Sequence, residues 1–264
     1  MKLRTLACLS VLSMVGIAAA PAADAATLSP YVVTMSPPSS AMSLGSTMKV
    51  SGTVRGAGAT RVTLYQLSGT RWVAWRSAVV VAGRYAVYYK PVSAGGHAIR
   101  VITGTTTKHR SGSSPTKTIT VYKWHYLSDF ANTPRVVVSD PWFWSLNGVA
   151  SINGRTYLHT PKLGLSYVGA SGYVEYNLSR ACSTFRMTGG LTDESPTVGS
   201  AQLEVQTDSV PLWARTMTLG QSQAVSLSVR GSLRLRLDDT VVTADPKGHN
   251  ILSAFGNAQV LCRF

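Results

Sequence analysis

The chain has 264 residues, of which 25 are Lys or Arg and 11 are Asp or Glu, and its formal net charge is +14. That length suits two modest domains or one large domain, and no segment after the N-terminal one is apolar enough to span a bilayer. The sequence has no Cys-x-x-Cys, His-x-x-x-His or Gly-x-Ser-x-Gly pattern and no phosphate loop. It therefore lacks the motifs of a metal finger, a serine hydrolase and a nucleotide-binding enzyme.

The N-terminus has the three parts of a secretory signal peptide. Lys2 and Arg4 precede an apolar run over residues 6–20, and Ala23-Asp24-Ala25 follows as a small-residue cleavage site. A membrane anchor is the alternative, but a run of about 15 residues is shorter than the roughly 20 needed to span a bilayer. We expect a signal peptide over residues 1–25 and a secreted, extracellular protein, either released or held non-covalently at the cell wall.

Charge divides the remaining chain into two halves. Residues 27–122 contain eleven Lys and Arg and no Asp or Glu, whereas residues 123–264 contain twelve basic and ten acidic residues. This break predicts a domain boundary between residues 122 and 123. For an exported protein, anionic polymers of the cell envelope are better partners for the basic half than nucleic acid, and no nucleic acid is expected. A solvated cationic surface without a dedicated ligand is the alternative.

Residues 27–122 predict an immunoglobulin-like (Ig-like) β-sandwich. Short alternating runs separated by turn residues indicate about seven strands, at residues 31–34, 48–54, 61–65, 71–75, 84–88, 97–101 and 118–122. The order of four segments resembles the small Ig-like modules of secreted bacterial surface proteins: VSGTV at 50–54, VTLYQ at 62–66 with Trp72, GRY at 83–85 and TVY at 120–122. That resemblance implies a spacer or adhesion module.

Residues 123–264 predict a jelly-roll β-sandwich, so the whole mature chain is expected to be all-β. The predicted strands are at residues 124–127, 155–159, 172–177, 183–188, 200–207, 211–217, 224–229, 232–237 and 259–262. Export places Cys182 and Cys262 in an oxidising compartment, where two cysteines favour a disulfide over a metal site. This bond would fasten the last strand to the sandwich.

The second half also resembles a known family over residues 124–262. Seven segments occur in the family's order: WHYLSD at 124–129, INGRTY at 152–157, VEYNL at 174–178, FRMTGGLTDE at 185–194, residues 201–208, RLRL at 234–237 and GNA at 256–258. Together they resemble the NPCBM domain, a carbohydrate-binding jelly roll found on many secreted glycosidases. The resemblance implies a secreted, non-catalytic protein that binds carbohydrate or a cell-wall glycan.

The sequence departs from that family at two places. Relatives commonly have a Gly-x-x-x-His-Ala segment where this chain has KLGLSY at 162–167, and Phe255 replaces their final Trp. If the missing His holds sugar in relatives, that role is lost or reassigned here. The alternative function is therefore a structural or surface interaction protein with a degenerate sugar site.

Four aromatic residues are the candidate ligand-binding residues. Sugars are held by aromatic faces and planar polar groups, and Trp142 and Trp144 form the densest aromatic cluster of the second half. In an extended segment they would point to the same side. Tyr167 and Tyr173 flank the loop around Gly169. For all four, filling the core is the alternative role.

The carboxylates give no active site. Asp193 and Glu194 are adjacent in one loop, so they do not span a scissile bond, and their candidate roles are calcium binding or a hydrogen-bonded turn. We expect no enzymatic activity and no cofactor, and a structural calcium ion at Asp193 and Glu194 is the alternative.

Overall fold

The structure is a computed structural model that describes residues 28–130, 136–138 and 145–264. The signal peptide expected over residues 1–25 lies outside this part of the chain, as do Trp142 and Trp144. Within the described ranges, no helix combines the length and apolarity needed to cross a membrane.

The N-terminal half folds into nine strands. Apolar and polar residues alternate along these strands, so that one face is buried and the other is exposed. In the third strand, for example, Met48 and Val50 are buried while Lys49 is exposed. The strands are β1 (Val32–Val33), β2 (Ala41–Ser43), β3 (Met48–Arg55), β4 (Arg61–Ser68), β5 (Arg71–Val79), β6 (Arg84–Tyr89), β7 (Gly95–Thr103), β8 (Gly112–Ser113) and β9 (Lys117–Tyr126).

Two sheets enclose the N-terminal core. One is a three-stranded sheet in the order β1-β3-β6, and the other includes the strands β9-β7-β4-β5 of a larger sheet. Val50 and Tyr89 from the first sheet pack with Leu64, Ile99 and Val121 from the second, and all five are essentially inaccessible to solvent. The half is therefore a β-sandwich, and its specific assignment as an Ig-like module stays a prediction.

In the C-terminal half, the described residues form one short helix and ten further strands. The helix is a 3-10 turn at Leu127–Phe130. The strands are β10 (Val136–Val138), β11 (Ser145–Ile152), β12 (Arg155–Leu165), β13 (Ser171–Asn177), β14 (Cys182–Leu191), β15 (Ser200–Thr207), β16 (Val210–Met217), β17 (Ser222–Ser228), β18 (Arg234–Thr243) and β19 (Ile251–Cys262).

These strands form a second sandwich. A five-stranded sheet in the order β10-β13-β18-β15-β16 faces a sheet in which β19 lies between β12 and β14, with β11 beyond β12 and β17 beyond β14. The core between them includes Tyr176 and Leu237 from one sheet and Phe185, Phe255 and Val260 from the other. The predicted all-β fold class is confirmed, and the paired sheets are those of a jelly-roll sandwich.

Strand β9 belongs to both halves. Its residues 117–121 pair with β7, and its residues 123–126 pair with the end of β19. The larger sheet therefore runs without interruption from one half into the other. The boundary predicted between residues 122 and 123 falls inside this strand, and the division into two domains stays a prediction.

The predicted disulfide is confirmed. Cys182 at the start of β14 is bonded to Cys262 at the end of β19, and the two residues are direct partners in the antiparallel register. Both side chains are buried in the core of the second sandwich.

Candidate functional site

A groove of about 550 Å³ lies on the outer face of the sheet that contains β19. Its base is formed by β14 and β19, with β17 along one side and β12 and the end of β9 along the other. Small residues line the β17 side. The aromatic, charged and amide side chains that line the groove are Tyr126, Arg155, Tyr157, Arg186, Asn257 and Gln259.

A β-bulge in β19 shapes the base of the groove. Arg186 pairs with Gln259 and Thr188 pairs with Gly256, so β19 has one residue more than β14 over this stretch. Within the bulge, Asn257 has a φ of 48°, in the left-handed region that asparagine tolerates better than most residues. Its side-chain oxygen accepts a hydrogen bond of 3.3 Å from the backbone amide of His159. Bulges of this kind redirect side chains at binding sites.

Gly256 makes room for the Tyr157 ring. A Cβ atom at position 256 would lie 2.7 Å from Cγ of Tyr157, which is too close for any ordinary contact. The ring therefore rests directly on the β19 backbone. Tyr157 is only 6% exposed and also packs with Ile152 and Ala254. It is a fixed part of the groove wall.

Arg186 is held in place from two sides. Its guanidinium carbon lies 4.0 Å from the centre of the Trp124 ring, a cation–π contact. Its Nε donates a 2.8 Å hydrogen bond to Oε1 of Gln259, which is 8% exposed. Because stacking fixes the plane of the guanidinium and the hydrogen bond fixes its direction, this side chain is preorganised at the groove.

Tyr126, at the end of β9, adds a second aromatic ring on the same side of the groove as Tyr157. Its ring stacks on that of His159, with centroids 3.9 Å apart and an interplanar angle of 24°. The groove thus combines aromatic rings with two guanidinium and two amide side chains. Such a set can cover the apolar face of a sugar ring and hydrogen-bond its hydroxyl groups.

Two of the predicted ligand-binding residues lie away from this groove. Tyr167 follows β12 in a loop and is 68% exposed. Tyr173 lies in β13 on the outer face of the five-stranded sheet, with the guanidinium carbon of Arg236 3.7 Å from its ring centre. The ligand-binding roles of these two residues stay predictions, as do those of Trp142 and Trp144 outside the described residues.

Asp193 closes a turn. Its Oδ2 accepts a 3.0 Å hydrogen bond from the amide of Gly154, in the tight turn between β11 and β12. Across the described residues, no group of three or more His, Cys, Asp or Glu side chains is placed to hold a metal ion. Calcium binding by Asp193 and Glu194 stays a prediction.

The residues that line the groove were not predicted as ligand-binding residues from the sequence. Thr184, Arg186 and Thr188 alternate along a predicted strand, which marks them as the outer face of β14. The GNA segment at 256–258 was recognised as a family feature, but nothing local showed that it forms a bulge. The proximity of Tyr126 and Gln259 depends on the pairing of β9 with β19, which are 133 residues apart at that point.

The solved structures that match this chain include carbohydrate-binding modules. The CBM51-2 and INT domains of Clostridium perfringens ZmpB have 14% sequence identity and a TM-score of 0.41, over 64% of this chain and 38% of that one. The CBM51 of Clostridium perfringens GH95, solved with methyl-galactose, has 18% identity and a TM-score of 0.40, over 52% of this chain and 99% of that one. The present chain thus spans well under half the length of the ZmpB fragment.

Sequence comparison identifies the C-terminal half. No curated protein sequence matches this chain. The family model described as the NPCBM/NEW2 domain matches residues 146–260, which include all of the groove residues named above except Tyr126. The match begins 22 residues after the start of the resemblance recognised in the sequence. The predicted family is confirmed for this segment: residues 146–260 form an NPCBM/NEW2 domain.

Proposed function

We propose that this is a secreted, non-catalytic protein that binds carbohydrate, or a glycan of the cell envelope, through its C-terminal jelly roll. The match of residues 146–260 to the NPCBM/NEW2 domain is the observation that carries the proposal. The groove across β14 and β19 supports it, because aromatic walls and planar polar groups are the usual elements of a sugar site. The residues described as lining the groove include no Asp or Glu, the side chains on which glycoside hydrolysis depends.

A glycan array on the full mature chain tests this function, and two sets of variants locate the site. Asn257→Gly keeps a residue that accepts the left-handed backbone of the bulge but removes the amide from the groove. Trp142→Ala and Trp144→Ala remove the aromatic cluster predicted from the sequence. We expect millimolar or tighter binding to at least one glycan, weakened at least tenfold by Asn257→Gly.

The outcomes separate the site from the function. Loss of binding in the tryptophan variants alone would move the site to residues 142–144 and leave the function standing. Binding to no carbohydrate at millimolar concentration would overturn the function. Thermal unfolding of each variant shows whether a loss of binding reflects a loss of fold.

A structural or surface interaction protein with a degenerate sugar site is the second candidate. The replacement of the family's Gly-x-x-x-His-Ala segment by KLGLSY at 162–167 favours it. In the structure, Leu163 and Leu165 of this segment are buried in the core. A binding partner from culture fluid whose affinity is unchanged by free sugar, together with a silent glycan array, would favour this candidate.

The basic half has a groove that is a candidate binding surface for anionic envelope polymers. A groove of about 570 Å³ on the outer face of β3 and β6 contains Lys49 and Arg84, both exposed, together with hydroxyl groups that include those of Ser51 and Thr53. No acidic residue occurs between residues 27 and 122. We infer that charge attracts envelope polyanions to this face and that it assists retention at the cell wall.

Secretion follows from the N-terminal segment. The charged start, apolar run and Ala-Asp-Ala site of residues 1–25 are those of a cleaved signal peptide. Mass spectrometry of the protein from culture fluid should give an N-terminus at Ala26. A full-length chain that remains in the cells would contradict this localisation.

A further inference from the structure

We propose that the groove across β14 and β19 selects a carboxylated sugar, with the guanidinium of Arg186 bound to its carboxylate. The inference rests on the proposed carbohydrate-binding function and specifies the class of ligand. Three features support it: Arg186 has unused hydrogen-bond donors, the groove is positively charged, and the arginines on the opposite face of the sandwich are paired with acidic residues.

Arg186 has unused hydrogen-bonding capacity directed at the groove. A guanidinium carries five N–H donors in a planar fork. One of them, on Nε, is donated to Gln259, and Trp124 covers one face of the plane without accepting a hydrogen bond in it. Among the described residues, neither terminal nitrogen of Arg186 has a hydrogen-bond partner or an ion-pair partner. The terminal pair is the edge that binds a carboxylate through two parallel hydrogen bonds.

Two positively charged side chains line the groove. Arg155 supplies a second exposed guanidinium, 5.4 Å from the centre of the Tyr157 ring. The described residues that line the groove contain no carboxylate to neutralise either cation. Two cations on an aromatic surface with no counter-ion attract anionic ligands in preference to neutral ones of the same shape.

Arginines on the opposite face of the sandwich differ from those in the groove, because they have acidic partners. On the outer face of the five-stranded sheet, Arg234 pairs with Glu175 and Arg236 pairs with Asp238. The segment as a whole is nearly balanced, with twelve basic and ten acidic residues over 123–264. Arginines on one face are therefore neutralised locally, whereas those in the groove are not.

Hexuronic acids and sialic acids are two widespread classes of carboxylated sugar. The direct test is calorimetric titration of the mature chain with glucuronic acid, N-acetylneuraminic acid and glucose, the last being a neutral match for the first. We expect at least tenfold tighter binding of one acid than of glucose. The acid that binds more tightly identifies the source.

Three variants assign the preference to Arg186. Arg186→Gln should weaken binding of the preferred acid at least tenfold and binding of glucose less than twofold. Arg186→Lys keeps the charge but loses the planar fork, so we expect an intermediate loss. Arg230→Gln is the control, because it removes one exposed positive charge outside the groove and should leave both affinities unchanged.

The results distinguish this inference from the function on which it rests. Equal affinity for glucuronic acid and glucose, with no tighter binding of N-acetylneuraminic acid, overturns acid selectivity and leaves carbohydrate binding intact. Equal losses in Arg186→Gln and Arg230→Gln overturn the role of Arg186. Binding to no carbohydrate overturns both proposals. The wild-type comparison of acid with glucose decides the selectivity even if a variant fails to fold.

Discussion

Cys182 and Cys262 face each other directly across β14 and β19, with their Cα atoms 3.9 Å apart. The bond fixes the end of β19, the strand that also pairs with β9 and forms the base of the candidate groove. A covalent link at this place connects the core of the second sandwich to the strand shared between the two halves of the chain.

Removing the disulfide should lower the stability of the protein substantially. The bond closes a loop with a sequence separation of 80 residues, for which loop-closure entropy gives at most about 4–5 kcal/mol. We expect the double variant Cys182→Ser/Cys262→Ser to unfold at clearly lower denaturant concentration than the oxidised wild type. Reductant should destabilise the wild type and leave the variant unchanged. Identical midpoints for wild type and variant would contradict this expectation.

Much of the strand content could be predicted because single strands are encoded by local alternation. β15, predicted at residues 200–207, has those bounds in the structure, and β6, predicted at 84–88, ends one residue later. β11, at Ser145–Ile152, was not among the predicted strands, because Asn147-Gly148 is a pair of residues that favours a turn. The strand predicted at 124–127 is not a separate element, because residues 124–126 are the end of β9 and Leu127 begins the 3-10 turn.

The site was harder to predict than the fold because it depends on pairing between distant strands. Asn257 is recognisable as part of a family segment, but its left-handed conformation results from the extra residue of β19 opposite β14. Arg186 is an ordinary outer-face arginine in the sequence. It becomes distinctive only when Trp124 and Gln259 are brought to its two sides.

Replacing Gly256 by alanine should damage both the fold and the groove. The new Cβ would lie 2.7 Å from Cγ of Tyr157, so the ring must move off the β19 backbone. Overpacking of this kind costs about 1–3 kcal/mol, and displacement of the groove wall should also weaken glycan binding. Denaturant unfolding and the glycan titration measure the two effects.

A matched glycine separates this effect from a general cost of losing glycine. A Cβ at Gly104 meets no atom within 4 Å, so Gly104→Ala should change neither stability nor binding. Equal behaviour of the two variants would show that Tyr157 is free to adjust and does not form a fixed wall.

Binding of the basic half to polyanions should depend on the salt concentration and on which cationic residues are removed. Lys49→Gln/Arg84→Gln removes the two cations of the groove on β3 and β6. Arg71→Gln/Arg76→Gln removes two exposed cations of β5 and is the matched control. On heparin–agarose, we expect elution of the wild type below a few hundred millimolar salt, where charge attraction is largely screened. The first double variant should elute earlier than the control, and co-elution of the two would contradict a localised site.

Asp239 should make the stability of the second sandwich depend on pH. Its carboxyl is fully buried in β18 on the inner face of the sheet, and neither of its oxygens has a hydrogen-bond partner of good geometry among the described residues. Burial raises the pKa of Asp239 to about 7, against smaller lowering effects of the Ser253 hydroxyl and the Thr240 backbone. Because the folded protein then binds this proton more tightly than the unfolded chain, stability falls as the pH rises from about 4 to about 7, and this contribution is constant outside that range.

A change in pKa from 3.8 to about 7 should change the free energy of unfolding by about 4 kcal/mol, at 1.36 kcal/mol for each unit of pKa difference. Asp239→Asn cannot ionise, so its free energy of unfolding should fall less steeply than that of the wild type between pH 4 and pH 7. As the pH rises through this window, we expect the stability of the variant to increase relative to that of the wild type. Denaturant unfolding at pH 4, 5.5, 7 and 8 measures it. If the free energies of unfolding of the two proteins depended on pH in parallel, the carboxyl would already be hydrated or ionised in the folded protein. A buried neutral carboxyl must instead destabilise the fold when it loses its proton.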